Sequence, residues 1–446
     1  MKRPVHLILA AAAAALALVA TTTSALAHPT HDGTGKEAGF DLVREDVSPG
    51  GVPQERQSDV RCEDGMAGIF PCHKVDLKSF LPLSEFDSIW ANDVWGWTDP
   101  QTGRDYVLAK LFEGTAFVDI TDVEDPTYLG TLPSPAPDPS NNGHIWGDIK
   151  TYDNHAYIGS EATGHGVQIF DLTRLRGVTE PQAWTEDGRI ADLGQSHNIA
   201  INEDSGTLYV IGAWTGVTAP DCAEVDGGPL MYDLSDPESP ELAGCYGGDG
   251  YTHDIHCVDY HGPDRDYRGN EICVASNEDT VTVLDVTDKS DVRMLARTPY
   301  ETSAYTHQGW FTEDHRHFLL GDELDELEGT VDATTTYVWD LQDLDNPKLI
   351  GQEDNGNTSI DHNIFINEGL AYKSNYTSGL RIDDTYKVDR GELKERGFFD
   401  VYPVDDATTF AGTWGNYPFF DKGIVAVTGI EEGLFILKPR VKSSKH

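Results

Sequence analysis

The chain has 446 residues, enough for about three ordinary domains at roughly 150 residues each. Its 32 basic and 76 acidic side chains give a formal net charge of −44. That balance excludes nucleic acid and anionic membrane surfaces as partners of the bulk of the molecule, because counterion release needs a basic face. With 39% hydrophobic and 10% aromatic residues in short patterned runs, the composition argues against disorder, and 44 Gly with 23 Pro give the frequent turns of an all-β protein.

The N-terminus carries an address. Lys2 and Arg3 precede an apolar run from Leu7 to Ala20, and Ala25-Leu26-Ala27 offers small residues where a signal peptidase cuts. The run is shorter than the roughly 20 residues a membrane span needs. Residues 1–27 are therefore read as a signal peptide, His28 as the mature N-terminus, and the protein as extracellular or secreted, with cell-surface association an open possibility. The mature charge is 30 − 76 = −46. Residues 28–74 form an acidic N-terminal region, expected to lack fixed structure from His28 to about Asp59 and then to hold a small disulfide loop. Export permits disulfides, and sequential pairing (Cys62–Cys72, Cys222–Cys245, Cys257–Cys273) is the simplest of 15 connectivities. A metal–thiolate cluster competes with it, but no C-x-x-C occurs.

A repeat organises residues 75–440, ahead of a polar tail at 441–446. Alternating apolar residues end in Asp and lead into a Pro-containing turn, as in Ala116-Phe117-Val118-Asp119-Ile120, Met231-Tyr232-Asp233-Leu234 and Tyr337-Val338-Trp339-Asp340-Leu341. Anchors at 119, 171, 233, 285, 340, 384 and 438 are separated by 52, 62, 52, 55, 44 and 54 residues. Such periodicity marks a repeat architecture. Each unit holds four strand-like pieces; in unit three they fall at His197–Ile201, Gly206–Ile211, Pro229–Asp233 and Pro240–Gly244. No sustained helical periodicity is present. The predicted fold is all-β: a seven-bladed β-propeller of four-stranded antiparallel blades. The last unit lacks its fourth strand, and the segment Phe80–Phe86 ahead of the first unit is expected to supply it and close the ring.

Most units open on a polar cluster around His144, His197, His253, His307 or His362. The first strand of a blade lines the central channel, so these residues should encircle one mouth. The loop between second and third strands returns to the same face, bringing Glu113, Glu161, Glu278, Asp279, Asp322, Glu323, Glu431 and Glu432. Imidazole suits transition metals and carboxylate adds calcium or manganese, so the site residues to weigh for a divalent metal are the five His with Glu161, Glu278, Asp322 and Glu323. Five His around a channel cannot all reach one ion at about 2.0–2.1 Å, though two or three can. The competing role is structural: a polar residue opening a buried strand ties adjacent blades by hydrogen bonds. His165, His256, His261, His315 and His317 fall outside the repeat position and are expected at the surface or in turns. The Asp that ends each repeated phrase is expected to shape a turn through side-chain to backbone bonds. Trp90, Trp95, Trp146, Trp310 and Trp414 read as core between blades more than as a sugar platform.

No G-x-S-x-G, H-E-x-x-H, Walker loop or dinucleotide fingerprint placed after a strand occurs. The repeated phrase, with Val167-Gln168-Ile169-Phe170-Asp171-Leu172 and Val281-Thr282-Val283-Leu284-Asp285-Val286, resembles the LVIVD repeat. The arrangement of Asn92-Asp93-Val94-Trp95-Gly96, Ser196-His197-Asn198-Ile199, Thr252-His253-Asp254-Ile255-His256-Cys257 and Asp361-His362-Asn363-Ile364 is similar to secreted bacterial choice-of-anchor B proteins, over about residues 75 to 440. The resemblance implies an extracellular propeller and carries no settled activity. Two functions follow as expectations. One is a binding or interaction propeller for an extracellular protein, glycan or small ligand, with a metal or polar ligand at the His- and carboxylate-lined mouth. The other is a metal-dependent oxidase or lactonase-type hydrolase.

Overall fold

A computed structural model describes residues 48–444 except 216–221, 223 and 224. Residues 1–27, read from the sequence as a signal peptide, and residues 28–47 lie outside the described residues. Seven antiparallel sheets radiate from a common axis, and their first strands are Ala91–Thr98, Gly147–Tyr152, Asn198–Asn202, Asp254–Asp259, Thr306–Phe311, Ile364–Asn367 and Thr413–Tyr417. The chain is thus a seven-bladed β-propeller, as its repeat predicts. Each repeated phrase is the third strand of a blade: Gly114–Asp119, Val167–Asp171, Leu230–Asp233, Val281–Asp285, Thr335–Asp340, Leu380–Lys387 and Gly433–Pro439.

Burial explains the pattern of each strand. Inner strands are covered on both faces by neighbouring blades, and all of Asp105–Leu111 is buried. Outer strands face solvent on one side, so Lys348–Asp354 reads as a polar edge. Seven apolar clusters occupy the clefts between successive blades, for example Val94, Val107 and Val118 of blade one against Ala426, Leu434 and Ile436 of blade seven. Burying each such side chain contributes roughly 1.5–3 kcal/mol, so the clefts supply most of the stability of the ring. An eighth cluster lies at one mouth and contains Trp90, Trp146 and Trp414.

The phrase-ending Asp residues act locally. Asp119, Asp171, Asp233, Asp285, Asp340 and Asp384 each accept a hydrogen bond from the backbone N–H two residues later, at 2.7–3.2 Å. These are Asx turns, which start the reversal into the fourth strand.

Ring closure uses the N-terminal region. Val75–Pro82 pairs antiparallel with Gly433–Pro439, with Phe80 opposite Phe435 and Val75 opposite Pro439. The closing strand therefore lies about five residues earlier than the sequence suggests. Pro82 offers no N–H for a longer ladder, and Leu83–Phe86 turns into a 3-10 helix that ends at Asp87 with φ 55°. Structure also begins before Asp59, contrary to expectation: Gln57–Val60 adds a fifth strand outside Val75–Pro82. Phe70–His73 extends blade six by pairing Cys72 with Phe399. The three disulfides are Cys62–Cys72, Cys222–Cys245 and Cys257–Cys273. Ser444 of the tail is docked on blade six, where its N–H and hydroxyl bond Asp384. Among the described residues no helix is long and apolar enough to cross a membrane.

Candidate functional site

The central channel holds a small cavity of about 50 Å³ whose wall includes His197, His253, His307, His362 and Trp414. These four imidazoles open four consecutive blades, three to six. Their rings form a continuous arc, with centroid separations of 4.4 Å (His197–His253), 4.2 Å (His253–His307) and 4.6 Å (His307–His362). The sequence spacing of about one blade per His is thereby converted into side-by-side contact.

Hydrogen bonds orient the rings. His253 Nδ1 lies 3.0 Å from the His307 carbonyl, and His362 Nδ1 lies against the Trp414 carbonyl. A carbonyl only accepts, so Nδ1 carries the proton and Nε2 of each neutral ring holds the lone pair. His197 Nδ1 is 2.6 Å from Glu161 Oε1. Through Nδ1 each of these three rings ties one blade to the next.

At the end of the arc, His307 Nε2 lies 3.6 Å from Glu323 Oε2 and His362 Nε2 lies 3.7 Å from Glu323 Oε1. Both separations exceed a hydrogen bond. Tyr376 donates to Glu323 Oε1 at 2.6 Å. All three residues are buried, and one ligand atom from each lies within 4.8 Å of the others. Donor atoms bound to a common ion at about 2.0–2.1 Å lie at most about 4.2 Å apart, a range that includes the 3.6 and 3.7 Å separations.

The surrounding electrostatics come from burial. Glu278 is pushed up to about 6, first by desolvation and then by neighbouring Asp279. The hydroxyls of Tyr251 and Tyr305 are raised by burial and by the charges of Glu161, Glu278 and Glu323, so both phenols stay protonated donors near neutrality. Sequence reasoning passed over these tyrosines. The signal was available: Tyr251-Thr252-His253 recurs as Tyr305-Thr306-His307 in the next blade.

Other residues singled out in the sequence stand elsewhere. His144 lies in a 3-10 helix, Asn142–Ile145, where its Nε2 is 3.0 Å from the Asp138 carbonyl and its ring packs on Phe112. It is not part of the arc. The Asp322 carboxylate is taken by the Tyr300 hydroxyl and the N–H groups of Ala304 and Tyr305. Glu161 reaches the site through His197. Three of the five His expected at the surface or in turns are enclosed: His165 and His317 are buried, and His256 stacks on Trp310 in the channel wall at 3.6 Å. Neighbouring blades cover turns that an isolated hairpin would expose. Deeper in the channel, Asp93 and Asp148 accept the N–H groups of Ile149 and Ile199 from the following blades. Lys150 pairs with Asp148 and sits 4.4 Å over the Trp95 ring.

No family model matches the chain, and no curated protein matches it. Among solved structures, the β-propeller domain of Cps50 (Swd1) from Myceliophteria thermophila is similar at 11% identity and a TM-score of 0.47, covering 75% of this chain and 94% of that one. A functionally unknown protein from Desulfotomaculum acetoxidans is similar at 10% identity and a TM-score of 0.47, covering 75% of this chain and 90% of that one.

Proposed function

We propose that the protein is a secreted propeller of the LVIVD-repeat, choice-of-anchor B kind that binds a divalent transition metal at one mouth of its channel. His307, Glu323 and His362 are its ligands. The observation that carries this reading is the convergence of two Nε2 atoms on the two oxygens of one buried carboxylate, at 3.6 and 3.7 Å. The mixed imidazole and carboxylate set suits zinc, iron or nickel over calcium. Tyr376 then orients the ligating carboxylate, and the Trp414 carbonyl fixes the His362 tautomer, as outer partners do in metal sites. Export is supported by the signal-type N-terminus and by the disulfides.

Metal analysis of the purified mature protein tests it. One transition-metal ion per chain is expected, lost in His307→Ala and in His362→Ala and kept in His144→Ala. A full complement in both of the first two variants overturns the ligand set. The second reading, a metal-dependent oxidase or lactonase-type hydrolase, is favoured by the ligand count: three protein ligands leave a coordination position open, as catalytic sites do. Turnover of a lactone or an oxidisable substrate that vanishes with the metal would decide for it.

A further inference from the structure

We propose that Asp325, Glu326 and Asp361 form a second cation site, separate from the imidazole site, for a hard divalent ion of the calcium class that clamps blade five to blade six. One carboxylate oxygen from each residue lies within 4.8 Å of the others. Asp325 and Glu326 belong to the loop between the second and third strands of blade five, in the short helix Asp325–Glu328. Asp361 leads into the first strand of blade six.

The cluster differs from the acidic surface because it is enclosed. Asp325 is 0% and Asp361 2% exposed. Both Asp361 carboxylate oxygens, and Asp325 Oδ1, accept no hydrogen bond among the described residues. Asp325 Oδ2 accepts the Tyr337 hydroxyl at 2.7 Å, and Glu326 Oε1 accepts the Thr335 N–H at 2.9 Å. Burying carboxylates without a counter-charge is strongly unfavourable. A nearby cationic side chain, Lys373, is engaged by Asp383 at 2.6 Å and by the Thr336 hydroxyl at 3.2 Å. A divalent ion supplies the missing charge. The donors are all oxygen, and three carboxylates furnish up to six ligand atoms, which suits calcium and not a thiophilic or imidazole-seeking metal. Room for the Asp361 carboxylate exists because residue 321 is Gly; a Cβ there would come within 2.1 Å of Asp361 Oδ2.

The test is calcium titration of the EGTA-treated mature chain, by calorimetry and by thermal unfolding. A ligand that binds only the folded state raises its melting temperature. The expected result is one tight Ca²⁺ per chain and a melting temperature that climbs with calcium. Asp361→Asn, which keeps the side-chain shape, should weaken that binding at least about tenfold. Asp345→Asn, in the exposed Asp264, Asp343 and Asp345 group, should keep it, and so should His307→Ala. Should Asp361→Asn fail to fold, Asp325→Asn carries the same expectation. Wild-type affinity in both folded variants overturns the site. So does a wild type indifferent to millimolar calcium whose melting temperature instead rises on acidification, since the carboxylates would then share protons.

Discussion

The mouth of the channel is divided between two arcs built on the same strand position. Blades three to six present imidazoles in contact, while blades seven, one and two gather the indoles of Trp414, Trp90 and Trp146 in one apolar cluster. Both arcs need polar ties between blades, and both have them. On the indole side Asn92 bonds the Ile145 carbonyl and Asn416 bonds the Ser374 hydroxyl at 2.8 Å. A small amide therefore suffices for the structural task. Four imidazoles on consecutive blades exceed what blade joining requires, and the excess is the argument for a ligand.

The largest effect should separate the arcs outright. His362→Ala is expected to lower transition-metal affinity by about 100-fold or more with modest loss of stability. Trp90→Ala, at a fully buried indole, should cost about 3–5 kcal/mol by denaturant unfolding while leaving metal content unchanged. Equal losses of both properties in both variants would erase the distinction. Next in size is the disulfide on the imidazole side. Cys257–Cys273 joins the first two strands of blade four, and Cys257→Ser with Cys273→Ser should destabilise by about 3 kcal/mol in urea.

A pH effect comes third. Asp254, in the channel wall below the imidazoles, is pushed up to about 8, first by burial and then by Asp148, with Lys150 opposing. The folded carboxyl keeps a proton that the unfolded chain, with a value of about 3.9, has released. Folded protein binds more protons across that window, so stability falls as pH rises from about 4 to about 8. Melting curves over this range should be flatter for Asp254→Asn than for the wild type. The smallest contrast concerns two Asx turns. Asp233 is exposed and bonds the Ser235 N–H, so Asp233→Ala should cost about 0.5–1 kcal/mol. Asp384 is buried and also holds Arg396 and Ser444, so its loss should cost about 2 kcal/mol or more, read by the same unfolding assay.

Most of the ring was legible in the sequence, because the third strand of every blade is sandwiched between neighbours and must repeat its apolar run and terminal turn. The grouping of His197, His253, His307 and His362 followed from that period. His144 did not, although its offset distinguishes it. It precedes its strand at Gly147 by three residues, whereas His197 and His253 directly precede theirs and His307 lies within its own. The Asn141 side chain accepts the Gly143 N–H and starts a 3-10 turn that carries His144 aside. Asp325 and Glu326 were invisible for a different reason. They occupy the loop of blade five from Asp322 to Thr335, much longer than the loop from Ser276 to Val281 at the same place in blade four, so the repeat does not mark them. The closing strand was misplaced because periodicity cannot show where a proline stops a ladder.

Closure of the ring by Val75–Pro82 has a consequence for how the protein is made. Val75 pairs with Pro439, a separation of 439 − 75 = 364 residues. Contacts this remote in sequence are intrinsically slow to form. During synthesis the closing strand emerges before any blade exists and waits, unpaired along its inner edge, until the final strand is released. The four blade strands of each of the other six sheets can assemble in order as local hairpins, with Phe70–His73 added to blade six from the N-terminal region. Completing the seventh is then a single late event that welds the first and last parts of the fold. Until it happens the unsealed edge is open to pairing with another chain.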